Sequence, residues 1–335
     1  MSNTSILHLA DDTTPGGVMR VIDTILASKH LAKSGNHRMA VIENNDLTLP
    51  EGRVDIIVSH LALNWRNFAA RARLRAMHPN TPMIHVEHSY TQGFVAQKVL
   101  NKIRFFAMLR SALCLFDRVI AVSNTQKDWL IRRDLVDRDR LSVIQSSVEL
   151  TEFEALPKPG NRTRIFGLVG RLHEQKGFDI AIQAFRECSG PELRLKVFGD
   201  GPLRAELENL AYCDPRITFH GHCDDPLEPM RSIDVLLMPS RWEAYGLVAR
   251  EALSAGRKVI VATTDGLKDH VNSGAIDVHE LSIPAWSQAI ISSAKASNND
   301  RLSEFDSVLD HGRETTIFEN QWERCIKSFD INFNS

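Results

Sequence analysis

The sequence predicts an α/β chain of two doubly wound domains, each a parallel sheet covered by helices. Short β-branched or apolar runs recur along its 335 residues. Several are apolar at nearly every position, as strands buried on both faces must be. Helix-length amphipathic segments separate them, the alternation that builds parallel sheets.

In the first half the expected strands are Ser5–Ala10, Met39–Glu43, Val54–His60, Met83–His88, Arg118–Ser123 and Leu141–Gln145. In the second half they are Arg164–Gly170, Leu193–Gly199, Ile217–Gly221, Asp234–Pro239 and Lys258–Thr263. Phe178, Ala181, Ile182 and Phe185 make one apolar face at helical spacing. A run with two prolines and a glycine, from Leu156 to Asn161, reads as an inter-domain linker. The expected division is therefore residues 1–156, residues 157–311 and a final segment, 312–335. That last segment reads as a helix over Gly312–Phe329 with Phe318, Trp322 and Cys325 or Ile326 on one side.

Composition supports a folded chain: 43% of residues are hydrophobic and 24% charged, which excludes disordered and collagen-like chains. The 40 basic and 42 acidic residues give a formal charge of -2, so the global basic footprint of a nucleic-acid binder is absent. The charge is uneven: residues 1–150 hold 19 basic and 14 acidic side chains and the remainder 21 and 28, which suggests different partners for the two halves. Cys114, Cys188, Cys213, Cys223 and Cys325 are scattered and form no C-x-x-C pair, which argues for a reducing compartment rather than a disulfide framework or structural zinc. Met1–Asp12 has no basic n-region, so no secretory signal is expected there. Phe105–Val122 is interrupted by Arg110, Asp117 and Arg118 and is too charged to span a bilayer. The expected location is cytoplasmic.

Doubly wound sheets bind ligands beyond the carboxyl ends of their strands, so the residues after each strand are the candidates. After the first come Gly16 and Gly17 at a helix start, where free amides can approach an anion or simply make a tight turn. The second half opens with a strand followed by Gly170-Arg171 and Lys176-Gly177. Arg171 and Lys176 are a planar fork of donors and a point charge able to converge on a diphosphate. No Gly-Lys-Ser/Thr occurs, so this is not a Walker A loop. Gly199-Asp200-Gly201-Pro202 begins like a dinucleotide fingerprint but ends on Arg204, and reads as a close strand-to-helix turn. Most informative is Pro239 to Ala252, where Glu243 lies on a loop and Glu251 in the early turns of a helix opening near Gly246. Such carboxylates serve as helix-dipole partners or accept hydrogen bonds from sugar hydroxyls, while helix amides take phosphate.

Arg171 with Lys176-Gly177, then Gly199-Asp200-Gly201-Pro202, then Phe219-His220-Gly221, then Glu243-x7-Glu251 resembles a family-4 retaining glycosyltransferase of the GT-B fold, in order and spacing from Gly170 to Ala262. Gly16-Gly17, Glu87-His88 and Ala121-Val122-Ser123-Asn124 extend the resemblance to the first half. It implies two Rossmann-like domains facing across a cleft, the first binding an acceptor and the second a nucleotide-sugar, with the final helix crossing back to the first.

By the same resemblance, Arg171 and Lys176 neutralise the donor diphosphate, Glu243 contacts the donor sugar and Glu251 binds the ribose hydroxyls. The amides of Tyr245, Gly246 and Leu247 line the sugar and phosphate site, backbone near Gly221 and His222 edges the base, Gly16 and Gly17 close over the phosphates, and His88 lies near the sugar. No cofactor or metal is implied; UDP is the commonest nucleotide in the family, and a polysaccharide precursor or lipid-linked saccharide the first acceptor to try. Two departures stand out: Gln145-Ser146-Ser147-Val148 replaces Pro-Asn-Gly-Val, and Asp265-Gly266-Leu267 has one glycine of a usual pair.

Other signals point elsewhere and are weaker. His85 and His88 are three apart on an expected strand and face opposite sides, which argues against a metal pair. Asp11-Asp12 and Asp224-Asp225 read as loop or cap carboxylates rather than a metal motif. Asn64–His78, with Arg66, Arg71, Arg73 and Arg75, and Phe94–Leu115, with Lys98, Lys102, Arg104 and Arg110, read as solvated faces or as basic helices touching the inner membrane surface. Alternative functions within the fold are a nucleotide-sugar epimerase or phosphorylase, or an inactive scaffold subunit.

Overall fold

The computed structural model describes residues 4–11, 16–43, 47–160, 162–296 and 311–329; Asp12 of the Asp11-Asp12 pair lies outside them. They form two compact units. One runs from Met1 to Val148 and resumes at Gly312; the other is Glu149–His311.

The first unit contains β1 (Ser5–Ala10), α1 (Gly17–Ala27), β2 (Asn36–Val41), β3 (Ile56–Ser59), α2 (Trp65–Met77), β4 (Met83–Glu87), α3 (Gln92–Lys98), α4 (Lys102–Leu113), β5 (Arg118–Ala121), α5 (Asn124–Arg132) and β6 (Leu141–Val143). Its sheet is parallel in the order β2-β1-β3-β4-β5-β6. Ile6, Leu7 and Leu9 of β1 and Ile56, Ile57 and Val58 of β3 have no solvent exposure, the signature of strands covered on both faces. Helix starts are chemically marked. Asn64 and Asn67 form a reciprocal cap for α2, and the Ser123 side chain accepts from the Gln126 amide at the start of α5.

The second unit begins with α6 (Thr151–Glu154). There follow β7 (Ile165–Val169), α7 (Phe178–Glu187), β8 (Arg194–Phe198), α8 (Arg204–Ala211), β9 (Ile217–Gly221), α9 (Leu227–Ser232), β10 (Val235–Met238), α10 (Leu247–Ser254), β11 (Lys258–Ala262), β12 (Ile276–Val278) and α11 (Ile283–Lys295). This sheet is also parallel, in the order β12-β11-β10-β7-β8-β9. The final helix, α12 (His311–Lys327), belongs to the first unit, where Phe318, Trp322, Cys325 and Ile326 are buried. Ser28 donates to Glu319 at 2.5 Å, and His30 lies 3.1 Å from Glu323.

The expected doubly wound sheets are present, with three differences. β2 starts at Asn36 rather than Met39, because pairing with β1 begins at Ser5↔Asn36 on a half-buried edge without apolar periodicity. β12 was not expected; it has three residues and only Val278 is buried. The units divide after Val148 rather than at the Leu156–Asn161 run, because α6 packs in the second unit and buries Phe153. No described helix is long and apolar enough to cross a membrane.

Candidate active site

Strand order reverses once in each sheet, between β1 and β3 in the first and between β7 and β10 in the second. At such a switch point the loops leave the sheet in opposite directions and open a crevice above the strand ends.

In the second unit, the loop after β7 carries exposed Arg171 and half-buried Lys176. Lys176 is placed by a short 3₁₀ turn, Glu174–Lys176, closed by Gly177 with φ +64°. A Cβ at Gly177 would lie 2.0 Å from the Pro239 carbonyl oxygen, so only glycine lets this loop meet the one after β10. The loop after β10 carries Glu243, and Lys176 Nζ donates to Glu243 Oε2 at 2.5 Å. The two side chains are only 18% and 13% exposed, so the pair is largely withdrawn from water.

A neighbouring pair fixes this geometry. Arg241 makes a two-pronged contact to Asp179, at 2.8 and 2.6 Å, while its amide donates to Gln175 at 2.7 Å. Planar guanidinium and planar carboxylate hold each other in orientation as well as distance. The β10 loop is thereby tied to the start of α7. Neither Arg241 nor Asp179 is marked by a motif in the sequence; the only signal for Asp179 is its place in the first turn of a helix.

Gly246, with φ +92°, precedes α10; the Ala249 amide donates back to its carbonyl at 3.0 Å, and the amides of Leu247 and Val248 stand ahead of that bond at the helix start. Tyr245 is buried, with its hydroxyl pushed up to about 12 by burial. Its carbonyl meets His270 Nε2 at 2.9 Å, and burial holds that imidazole down at about 4. Glu251, inside α10, is 2% exposed. Gly221 ends β9 with φ +78°, and His222 beyond it is 61% exposed with Asp224 at 3.4 Å.

At the departure, Asp265 itself adopts a left-handed conformation, φ +42°, of the kind a glycine adopts freely. Gly266 beside it approaches the Glu243 loop most closely. Its amide donates to the Glu243 carbonyl at 2.9 Å, and a Cβ there would sit 1.9 Å from the Ala244 carbonyl oxygen.

Among the predicted residues, Lys176 and Glu243 are brought into direct contact. Arg171, Tyr245, Gly246, Leu247 and Glu251 lie on the same two loop-helix units. Gly16, Gly17 and His88 belong to the first unit. Gly16 precedes α1 in extended conformation, and both glycines are exposed.

His88 follows β4 and ends a row of imidazoles. His88 Nε2 meets His60 Nδ1 at 2.9 Å, His60 Nε2 meets His8 Nδ1 at 3.0 Å, and His8 Nε2 meets His37 Nδ1 at 2.9 Å. Trp322 of α12 leans over His8 at 6.0 Å. Glu87 accepts from the amides of Ser89 and Tyr90 and lies 3.4 Å from His85. Burial lowers its neighbour His88 to about 4, His37 to about 4, His8 to about 3, and His60 well below its ordinary value.

The unfolded chain protonates these imidazoles near pH 6.5, and the folded chain excludes those protons. Stability is therefore intact above that pH and falls as the pH drops toward 4, by up to about 1.4 kcal/mol per pH unit per imidazole. Urea midpoints of the chain should drop between pH 6.5 and 4.5; a flat profile would contradict the buried neutral row.

The expected basic faces are partly spent inside the first unit. Arg71 is buried and donates to the Asn67 and Ala62 carbonyls, and Arg75 pairs with Asp117 at 3.0 Å. Around the α3–α4 corner, Leu100 is fully exposed and Ile103 is 86% exposed, next to Lys102 and Arg104. Among the described residues no three His, Cys, Asp or Glu side chains are grouped to hold a metal ion.

Two family profiles match the chain, one described as Glycosyltransferase Family 4 over residues 7–152 and one as Glycosyl transferases group 1 over residues 163–295. A 2-deoxystreptamine glucosyltransferase of Streptomyces kanamyceticus is 38% identical over 146 residues, covering 41% of this chain and 37% of that protein. A protein described as putative glycosyltransferase EpsF of Bacillus subtilis is 26% identical over 308 residues, covering 85% and 76%. The aligned stretch thus spans about a third of the first relative and three quarters of the second. Among solved structures, HepE of Anabaena in complex with UDP and glucose superposes with a TM-score of 0.64 over 96% of this chain and 94% of that one, at 17% identity, a likeness of fold.

Proposed function

The chain belongs to the family-4 glycosyltransferases, and we propose that it moves a sugar from a UDP-sugar to a glycan or lipid-linked saccharide with retention of configuration. One observation carries the reading: at the switch point of the second sheet, the contact of Lys176 with Glu243 joins the loop that carries exposed Arg171 to the loop that leads into α10. Cleaving the bond from sugar to phosphate builds negative charge on the leaving diphosphate and positive charge on the ring. Arg171, Lys176 and the α10 amides stabilise the first in place before the reaction begins, so no metal is needed. Glu243, whose Oε2 accepts from Lys176, keeps its second oxygen for the donor sugar. Glu251 takes the ribose hydroxyls, Gly221 and His222 flank the base, Gly16 and Gly17 serve the diphosphate, and His88 serves the reacting sugar.

UDP and glucose are the donor parts to try first, since the Anabaena relative was solved with both and a glucosyltransferase is among the curated relatives. The reading extends to synthesis of cell-surface polysaccharide or glycolipid at the inner face of the membrane, where the exposed Leu100 and Ile103 flanked by Lys102 and Arg104 suit an anionic lipid surface.

Proton NMR of the product formed from UDP-α-glucose tests the reaction class. An α-linked glucoside is the expected product. A β-linked product would overturn retention, and free epimer or a requirement for inorganic phosphate would replace transfer by epimerisation or phosphorolysis.

A further inference from the structure

Glu243 stands where the loops of the second unit would draw in an anion. Its Cγ lies over the start of α10, 3.3 Å from where a Cβ on Gly246 would sit. Its Oε2 accepts from Lys176 Nζ at 2.5 Å. Lys176 in turn crosses the end of β7, with Cε 3.4 Å from where a Cβ on Gly170 would sit. A helix N-terminus and a lysine ammonium both attract phosphate, and this one carboxylate is set against both. The two side chains are largely withdrawn from water, where a charge is felt most strongly. Among the described residues, Oε1 of Glu243 makes no hydrogen bond.

The path of the loop does not depend on this charge. The Gly266 amide donates to the Glu243 carbonyl, and the Arg241 amide to the Gln175 carbonyl. Arg241 and Asp179 neutralise each other beside them. None of these contacts uses the Glu243 carboxylate, so its charge is available for another task.

We propose that Glu243 makes the site selective for an intact nucleotide-sugar over the free nucleoside diphosphate. The inference rests on the donor reading, with the diphosphate at Lys176 and the sugar at Glu243. While the sugar is attached, its hydroxyls donate to Oε1, and these charge-assisted bonds offset the repulsion between carboxylate and diphosphate. Transfer breaks the bond from the anomeric carbon to the phosphate oxygen, and the electron pair stays with that oxygen. At neutral pH the terminal phosphate then carries one more negative charge than it did in the donor, because its last proton is lost near about pH 6. Oε1 has meanwhile lost its hydroxyl donors. Like charges now face each other in a largely dry place, and Glu243 competes with the free diphosphate for Lys176 and the α10 start. The spent nucleotide is thereby weakened and the intact donor is not.

Calorimetric titration of the full-length protein with UDP and with UDP-glucose, at neutral pH and without acceptor, tests this. Glu243→Gln keeps the shape of the side chain and removes its charge. UDP should bind that variant about tenfold more tightly than wild type, the effect of one unit charge a few ångströms away. UDP-glucose should bind it no more tightly than wild type, because the charge-assisted bonds to the sugar go with the repulsion. Glu243→Ala should move the two ligands in the same directions, with melting curves showing both variants folded. A merely structural role would lower both affinities together. UDP bound no more tightly by either variant, or UDP and UDP-glucose tightened alike, would overturn the selectivity. The reading beneath it fails differently: a wild-type chain that binds neither ligand would remove the donor site, and this inference with it. Wild-type binding of both ligands with UDP no tighter in the variants would end the inference alone.

Discussion

Lys176→Ala should lower kcat for sugar transfer by about 10²- to 10³-fold, the scale on which removal of one preorganised donor to a developing oxyanion is felt. The KM for UDP-sugar should rise far less, because in the proposed reaction the charge that Lys176 neutralises grows as the sugar leaves. Two partners hold the ammonium where it is needed: Glu243 at 2.5 Å and the 3₁₀ turn closed by Gly177. Lys176→Arg should recover little, since a planar fork does not fit a position occupied by a point charge against one carboxylate oxygen. Steady-state kinetics with UDP-glucose, alongside a melting curve showing a folded variant, check this. A variant with wild-type kcat would remove Lys176 from the diphosphate.

Gly266→Ala should strike stability and activity together. The added methyl carbon would lie 1.9 Å from the Ala244 oxygen, 2.5 Å from its carbonyl carbon and 2.8 Å from Tyr245 Cα, all backbone, with no flexible side chain to move aside. Either the Glu243–Tyr245 loop or the segment from Asp265 must shift, and the hydrogen bond from the Gly266 amide to the Glu243 carbonyl goes with it. Overpacking of this kind costs about 1–3 kcal/mol. At about 2–4 °C per kcal/mol for a unit of this size, the midpoint should fall by several degrees. Glu243 would be displaced as well, and a shift of about 1 Å at such a site costs on the order of 10²-fold in rate. Calorimetry and turnover of the same sample check both parts; an unchanged midpoint with unchanged turnover would mean that the two loops are not locked together.

What was legible in the sequence follows from how the chain is buried. Strands covered on both faces announce themselves as unbroken apolar runs, so β1, β7, β10 and β11 were found to within a residue at each end. β2 and β12 sit at sheet edges and are only half-buried, and no pattern marks them. The run with two prolines read as the boundary, yet one buried phenylalanine, Phe153, draws the preceding helix into the second unit. Arg171, Lys176, Glu243 and Glu251 stand out in the sequence because their spacing after strands resembles a known family, and the structure brings two of them, Lys176 and Glu243, into contact. The contact of Arg241 with Asp179 was not, because it joins positions on separate loop-helix units that only the fold brings together. The histidine row was hidden for the same reason. It takes one residue from each of four neighbouring strands or their ends along a diagonal that steps two residues per strand, since His37 pairs with Ile6 and His8 with Val58.

The most direct test of the central claim is a thermal-shift screen of the wild-type chain and Glu251→Ala against UDP, GDP, ADP and TDP. A ligand at about 100 times its dissociation constant adds about 2.7 kcal/mol to stability. UDP should raise the wild-type midpoint clearly and that of Glu251→Ala little, because the variant lacks the carboxylate proposed to grip the ribose. No shift with any nucleotide in the wild type, or an equal shift by UDP in both proteins, would contradict a donor site built on the switch point of the second sheet.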